Sequence, residues 1–176
     1  MDRGRAGDDR PLVLVLCTGN AARSVMAGVM LEALGAPVRI ITAGTHVVEN
    51  QPTSRRTRDA LTALSLDASA HRSRQLNDTD LDAADLVIAM AAEHVHYVRR
   101  RHPRASDRTA TLSWLARHLA PGPRPLAARV AELALADVDP ALQGDVDDPA
   151  GGEQDVYTAC AVQLSELVAQ LGARLD

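Results

Sequence analysis

The feature that most restricts the fold of this sequence is a short apolar run, PLVLVL at Pro11 to Leu16, cut off sharply at Cys17. A half-exposed strand alternates apolar with polar residues. An unbroken run of this length suits a strand buried on both faces of a parallel sheet. Cys17 to Arg23, CTGNAAR, then reads as a polar, glycine-containing turn. From Ser24 the period becomes helical, with Met26, Val29, Met30, Ala33 and Leu34 on one face and Gly35 as the stop.

The alternation continues along the chain. Val38 to Ala43 (VRIITA) predicts a second strand, and Thr45 to Pro52 a loop. Thr53 can cap a helix reaching about Leu64, with Arg55, Arg56 and Arg58 in its first turns. Ala84 to Met90 (ADLVIAM) predicts a third buried strand, Glu93 to Arg101 a helix ended by Pro103, and Thr109 to Leu112 a short fourth strand. A helix follows through about Leu119, then a loop from Ala120 to Pro125 and a helix from Ala127 to Ala136. Asp137 to Gly152, rich in Asp, Gly and Pro, reads as an extended loop. The last helix runs from about Asp155 to Leu171, with Val156, Cys160, Leu164, Leu167, Val168 and Leu171 as its apolar stripe. Strands alternating with helices imply an α/β sandwich with a mostly parallel sheet. There is no internal repeat. Residues 1–10 read as a disordered lead-in and 11–176 as one domain.

Composition narrows the partners. Hydrophobic residues make up 46%, but Phe is absent and Trp and Tyr number three, so the core must be aliphatic and a pocket has few rings to draw on. Net charge is −4, which argues against general nucleic-acid binding; all 19 basic residues are arginine, and Arg99-Arg100-Arg101 reads as a solvated helix end. The polar first ten residues do not resemble a signal peptide. No apolar run approaches the roughly 18 residues that a membrane helix needs. The two cysteines, Cys17 and Cys160, show no metal-ligand spacing, so neither metal nor cofactor is expected. A reducing, cytoplasmic setting would keep Cys17 a free thiol.

Phosphoryl transfer to a cysteine needs a thiolate, donors around three equatorial oxygens, and a group to protonate the leaving alcohol. Strand–CTGNAAR–helix supplies the first two. A loop wrapped at a helix N-terminus points N–H groups inward, and the helix dipole favours the thiolate over the thiol. Arg23 can close the cradle with a bidentate fork, and Ser24 can donate its hydroxyl to the thiolate or to the departing phosphate. Thr18, Ala21 and Ala22 complete the backbone of the cradle. Gly19 and Asn20 are the types best suited to left-handed conformations in a tight turn. In a chain of this composition Cys-x5-Arg arises by chance about one time in five. Requiring Gly19, Asn20 and Ser24 as well lowers that to the order of one in 10⁵.

With VLCTGNAARSVMA, the segments TAGT (Thr42 to Thr45), HRSRQL (His71 to Leu76), ADLVIAM and DDPAGG (Asp147 to Gly152) occur in an order that resembles the low-molecular-weight protein-tyrosine phosphatases. The resemblance covers nearly the whole chain from Pro11. It implies a three-layer α/β sandwich: a four-stranded parallel sheet flanked by helices, with the phosphate loop between the first strand and the first helix. It implies that Cys17 forms a phosphocysteine, that Arg23 binds the phosphoryl group and that Asp148, before Pro149, is the general acid. Asp147 is the adjacent alternative, and Asp139, also followed by Pro, the decoy. Asn20, Ser24, Thr42 and His71 match the family's hydrogen-bond network beneath the loop. The implied partners are a phosphotyrosine protein and inorganic phosphate, with no nucleic acid and no membrane.

Departures limit the resemblance. Ala22 stands where the family often has a second cysteine, Val25 where proline follows Ser24, Ala91 where an Asp often follows the third strand, and Ala150 where an aromatic normally walls the phenol slot. A ring could come instead from Tyr157. Three other functions stay open: an arsenate reductase of the same fold, which would need Cys160 as resolving thiol; a phosphate-binding module without turnover; and a phosphoarginine phosphatase, a preference tied in relatives to a Thr where this chain has Ala21.

Overall fold

A computed structural model describes residues 8–175; most of the lead-in expected at 1–10 lies outside the described residues, and Asp8, Asp9 and Arg10 are exposed. All six residues of β1 (Leu12–Cys17) are buried, which is why the run contains no polar residue. β1 pairs in parallel with β2 (Arg39–Gly44) on one side and β3 (Leu86–Ala89) on the other; β4 (Thr109–Thr111) completes the order β2-β1-β3-β4. This is the four-stranded parallel sheet that the resemblance implied.

Side chains alternate across the sheet, and that alternation makes three layers. Val13, Val15, Leu86 and Ile88 face α1 (Arg23–Leu34), α2 (Arg55–Thr62), α5 (Leu112–His118), α6 (Leu126–Ala131) and α7 (Gln154–Leu175). Leu14, Leu16, Ala43 and Val87 face α3 (Asp78–Ala83), α4 (Ala92–Arg101) and the 3₁₀ turn Pro103–Arg108. Truncating a fully buried leucine such as Leu14 or Leu16 to Ala would cost roughly 2–5 kcal/mol.

Several boundaries differ from the sequence reading. The buried face of α1 is Val25, Met26, Ala27, Met30 and Leu31, while Ala33 and Leu34 are exposed; α1 lies over β1 and β2 with α7 across it, so its contact stripe is rotated. Gly35 does end α1, at φ 70°, with its N–H on Glu32 O. The cap of α2 is Ser54, whose hydroxyl accepts from Thr57 N at 3.2 Å; Thr53 is buried instead. α3 was not foreseen: Asn77 caps it and only Leu81 is buried. The helix expected at Ala127 to Ala136 is broken. Ala134 takes φ 47° and a 3₁₀ turn follows at Leu135–Asp137. Buried Arg129 holds this stretch down by donating to Arg124 O, Ala120 O and Arg174 O, which docks it on the end of α7. Val156, at the start of α7, is exposed rather than part of the buried stripe.

The carboxyl ends of β1, β2 and β3 converge on one edge. β2 continues past the sheet: Thr45 N donates to Cys17 O and His46 N to Thr18 O, both at 3.0 Å. Gly44 permits this approach, since a Cβ there would lie 2.5 Å from Thr18 O.

Candidate active site

The turn between β1 and α1 wraps around Cys17, which is 3% exposed. Asn20 is the one residue of the loop with positive φ, at 50°; Gly19 does not adopt the left-handed conformation expected of it. Asn20 is fully buried and uses every polar atom of its side chain. Its Nδ2 donates to Ser24 Oγ and Thr42 Oγ1, both at 3.0 Å, and its Oδ1 accepts from Arg74 N at 3.0 Å. Its carbonyl lies 2.9 Å from His71 Nε2. A carbonyl only accepts, so that nitrogen carries the proton. Burial lowers the His71 pKa, which keeps the ring neutral; the bond to Asn20 opposes that shift.

The same donor logic orients Ser24. Because Ser24 Oγ accepts from Asn20, its single proton is free for Cys17 Sγ, 3.0 Å away. A hydrogen bond of this kind stabilises a thiolate.

Arg23 is the first residue of α1 and is 3% exposed. Its guanidinium turns toward the segment Asp145 to Asp148: Nη1 donates to Val146 O at 3.2 Å and Nη2 to Asp148 Oδ2 at 2.7 Å. Asp148 Oδ1 accepts from Ala150 N at 3.1 Å, an Asx turn that Pro149 stiffens. The structure therefore brings Cys17, Arg23, Ser24 and Asp148 to one site. Asp147 contributes a backbone carbonyl to Cys160 Sγ (3.7 Å), and Asp139 caps a distant 3₁₀ turn.

Other sequence candidates do not take the parts considered for them. Tyr157 lines a surface pocket with Arg55, Arg56 and Gln154, beside α2. Cys160 is buried against the Asp147 carbonyl, and burial pushes its thiol up to about 11, so it is a poor attacking thiol. Ala21 and Ala150 are both exposed and offer no ring. Two contacts had no signal in the sequence: Thr57 Oγ1 of α2 donates to Ala21 O at 3.1 Å, and His94 of α4 meets Thr18 Oγ1 at 2.9 Å. Among the described residues no cluster of His, Cys, Asp or Glu is arranged to hold a metal ion, and no helix is long and apolar enough to cross a membrane.

Residues 12–121 match the family described as low molecular weight phosphotyrosine protein phosphatase. The chain is 32% identical over 165 residues to a protein-arginine-phosphatase of Geobacillus stearothermophilus, covering 93% of this chain and 95% of that one. Among solved structures, the YwlE arginine phosphatase from Geobacillus stearothermophilus superposes with a TM-score of 0.77 at 30% identity, covering 94% of this chain and 92% of that one. A low molecular weight protein tyrosine phosphatase from T. tengcongensis superposes at 0.73 with 31% identity, over 92% and 97% of the two chains. With Cys17 at the junction of the first strand and its loop, and with these matches over most of its length, this chain belongs to a family of cysteine-based phosphatases, the low molecular weight phosphotyrosine protein phosphatases.

Proposed function

We propose that residues 11–176 form a single phosphatase domain that hydrolyses phosphotyrosine on proteins through a phosphocysteine at Cys17. The observation that carries this reading is the convergence of four side chains: Cys17 Sγ with Ser24 Oγ at 3.0 Å, and Arg23 with Asp148 at 2.7 Å. The Cys17 thiolate attacks phosphorus while Arg23 and the loop N–H groups hold the equatorial oxygens. As the P–O bond breaks, Asp148 gives its proton to the leaving oxygen. Water then attacks the phosphocysteine, Asp148 takes its proton, and the S–P electron pair returns to sulfur. Asp148 must be protonated for the first step. A phosphate dianion that draws Arg23 onto its oxygens breaks the Arg23–Asp148 bond and frees the carboxyl to face the leaving oxygen. The substrate is a phosphoprotein and the product inorganic phosphate. A cytoplasmic setting suits the unguarded thiol.

A second reading, a phosphoarginine phosphatase, is supported by the similarity to a protein-arginine-phosphatase over nearly the whole chain and by the absence of a ring at Ala150, while Ala21, in place of the Thr tied to that preference, tells against it. Phosphopeptides matched in sequence but carrying phosphotyrosine, phosphoarginine or phosphoserine decide between the two. Release of phosphate chiefly from phosphotyrosine is expected. A higher kcat/KM on phosphoarginine would move the substrate to the second reading, and binding of phosphate without release from any peptide would overturn both. The arsenate reductase reading is tested by arsenate treatment, where a Cys17–Cys160 disulfide would revive it.

A further inference from the structure

His94 is a polar residue in an apolar place. It lies in the first turn of α4 with only 1% of its surface exposed, among buried Ala91, Val95 and Val98. Both ring nitrogens are used. Nδ1 accepts from Ala91 N at 3.1 Å, which closes the N-terminus of α4 and obliges a neutral ring to carry its proton on Nε2. Nε2 then donates to Thr18 Oγ1 at 2.9 Å. The Thr18 hydroxyl proton is left to point at Glu93 Oε1, 3.5 Å away. The hydrogen bonds thus run in one direction, from the α4 backbone through His94 to the residue next to the nucleophile.

Thr18 is held from both sides. Its carbonyl accepts from His46 N at 3.0 Å on the β2 side, and its hydroxyl meets His94 on the α4 side. A carbonyl fixed toward His46 turns the Gly19 N–H of the same planar peptide the opposite way. Among the described residues, the Thr18 side chain supplies the second hold on this first peptide of the loop. We infer that His94, through its Nε2–H···Oγ1 bond to Thr18, is a positioning residue that keeps the first turn of the phosphate loop, and with it Cys17, in the geometry the reaction requires. This rests on the reading of Cys17 as nucleophile. The groups around the ring are Arg23, Asp148, Asp145, His46 and Glu93; burial first, and Arg23 next, lower its pKa to about 4, so the ring is neutral at pH 7 and the Ala91 N–H fixes its tautomer.

A helix cap alone would explain the Ala91 contact but not the Thr18 contact, and the two can be separated. His94→Asn can still accept from Ala91 N but cannot reach Thr18; His94→Gln is long enough for both. Thr18→Val removes the acceptor and leaves the cap of α4 untouched. Each variant is followed by kcat and KM on p-nitrophenyl phosphate, by the rate of Cys17 alkylation with iodoacetamide read on the Cys17 peptide by mass spectrometry, and by thermal melting. We expect His94→Asn and Thr18→Val each to lower kcat about tenfold, with KM less affected and melting little changed. Alkylation should slow in parallel, His94→Gln should recover most of the loss, and the double variant should be no worse than either single one. Wild-type rates in Thr18→Val, additive losses, or no recovery with Gln would overturn the inference. If His94→Asn fails to fold, Thr18→Val alone decides by the same criteria. Alkylation needs no turnover, so a wild-type protein that hydrolyses nothing would count against the nucleophile reading while leaving this comparison measurable.

Discussion

Asn20 and Ala150 stand at opposite ends of the site and are held in opposite ways. Asn20, at the floor, is fully buried, and its side-chain and carbonyl oxygen bonds tie Ser24, Thr42, His71 and Arg74 into one network. Ala150, at the rim, is exposed; its backbone closes the Asx turn of Asp148 and its methyl group reaches nothing that would grip a leaving group. The floor is built for one shape, a tetrahedral anion beside a sulfur. The rim leaves the identity of the departing group open. Chemistry and specificity are thus separable here, because the first depends on buried bonds that must all be made and the second on a surface that tolerates change.

The sharpest way to break the floor is Cys17→Ser. Turnover should vanish while phosphate still binds, as read by calorimetry; retained turnover would falsify the nucleophile assignment. Asp148→Ala acts across the boundary between floor and rim. It should slow hydrolysis of a phosphotyrosine peptide on the order of 10²-fold but that of p-nitrophenyl phosphate much less, since a good leaving group needs little help. An equal effect on both would point to Asp147 or to a structural role. Asn20→Ala strands several buried partners and places Ala at a left-handed φ. The urea midpoint should report a loss of at least about 2 kcal/mol. His94 gives the floor a pH limit. The unfolded ring takes up a proton near its ordinary 6.5 whereas the folded ring resists until about 4, so stability is full above 6.5 and falls as pH drops between those values. The total is about 3 kcal/mol, and His94→Gln should flatten that part of the profile. The smallest effect is at the rim: Ala150→Tyr should lower KM for a phosphotyrosine peptide about threefold, by restoring a stacking wall.

What could be read in advance follows the same division. β1 and the Cys17 to Arg23 loop were legible because an unbroken apolar run and a dense local motif need no distant partner. The face of α1 was misjudged because periodicity cannot say where α7 crosses it; Ala33 is exposed, and Leu34 touches α7 at Gly172 yet stays half exposed. Asn77-capped α3 went unseen because six mostly polar residues with one buried leucine carry almost no periodic signal. Gly19 and Asn20 looked equivalent in the loop, yet only Asn20 has the side chain to fasten a left-handed turn to its surroundings. His94 acts on a residue 76 positions away, and nothing local marks such a contact.

The bond between Arg23 and Asp148 gives the site a counter-ion of its own. A phosphate group entering the loop does not meet a bare cation; it must displace a carboxylate and a backbone carbonyl from the same guanidinium. Every anion is therefore held less tightly than the cradle alone would hold it, and the discount is returned when product leaves and Asp148 swings back. An exchange of this kind keeps inorganic phosphate from lingering. It makes the acid loop a competitor for the position that substrate takes, so the enzyme clears its site by the same contact that arms it.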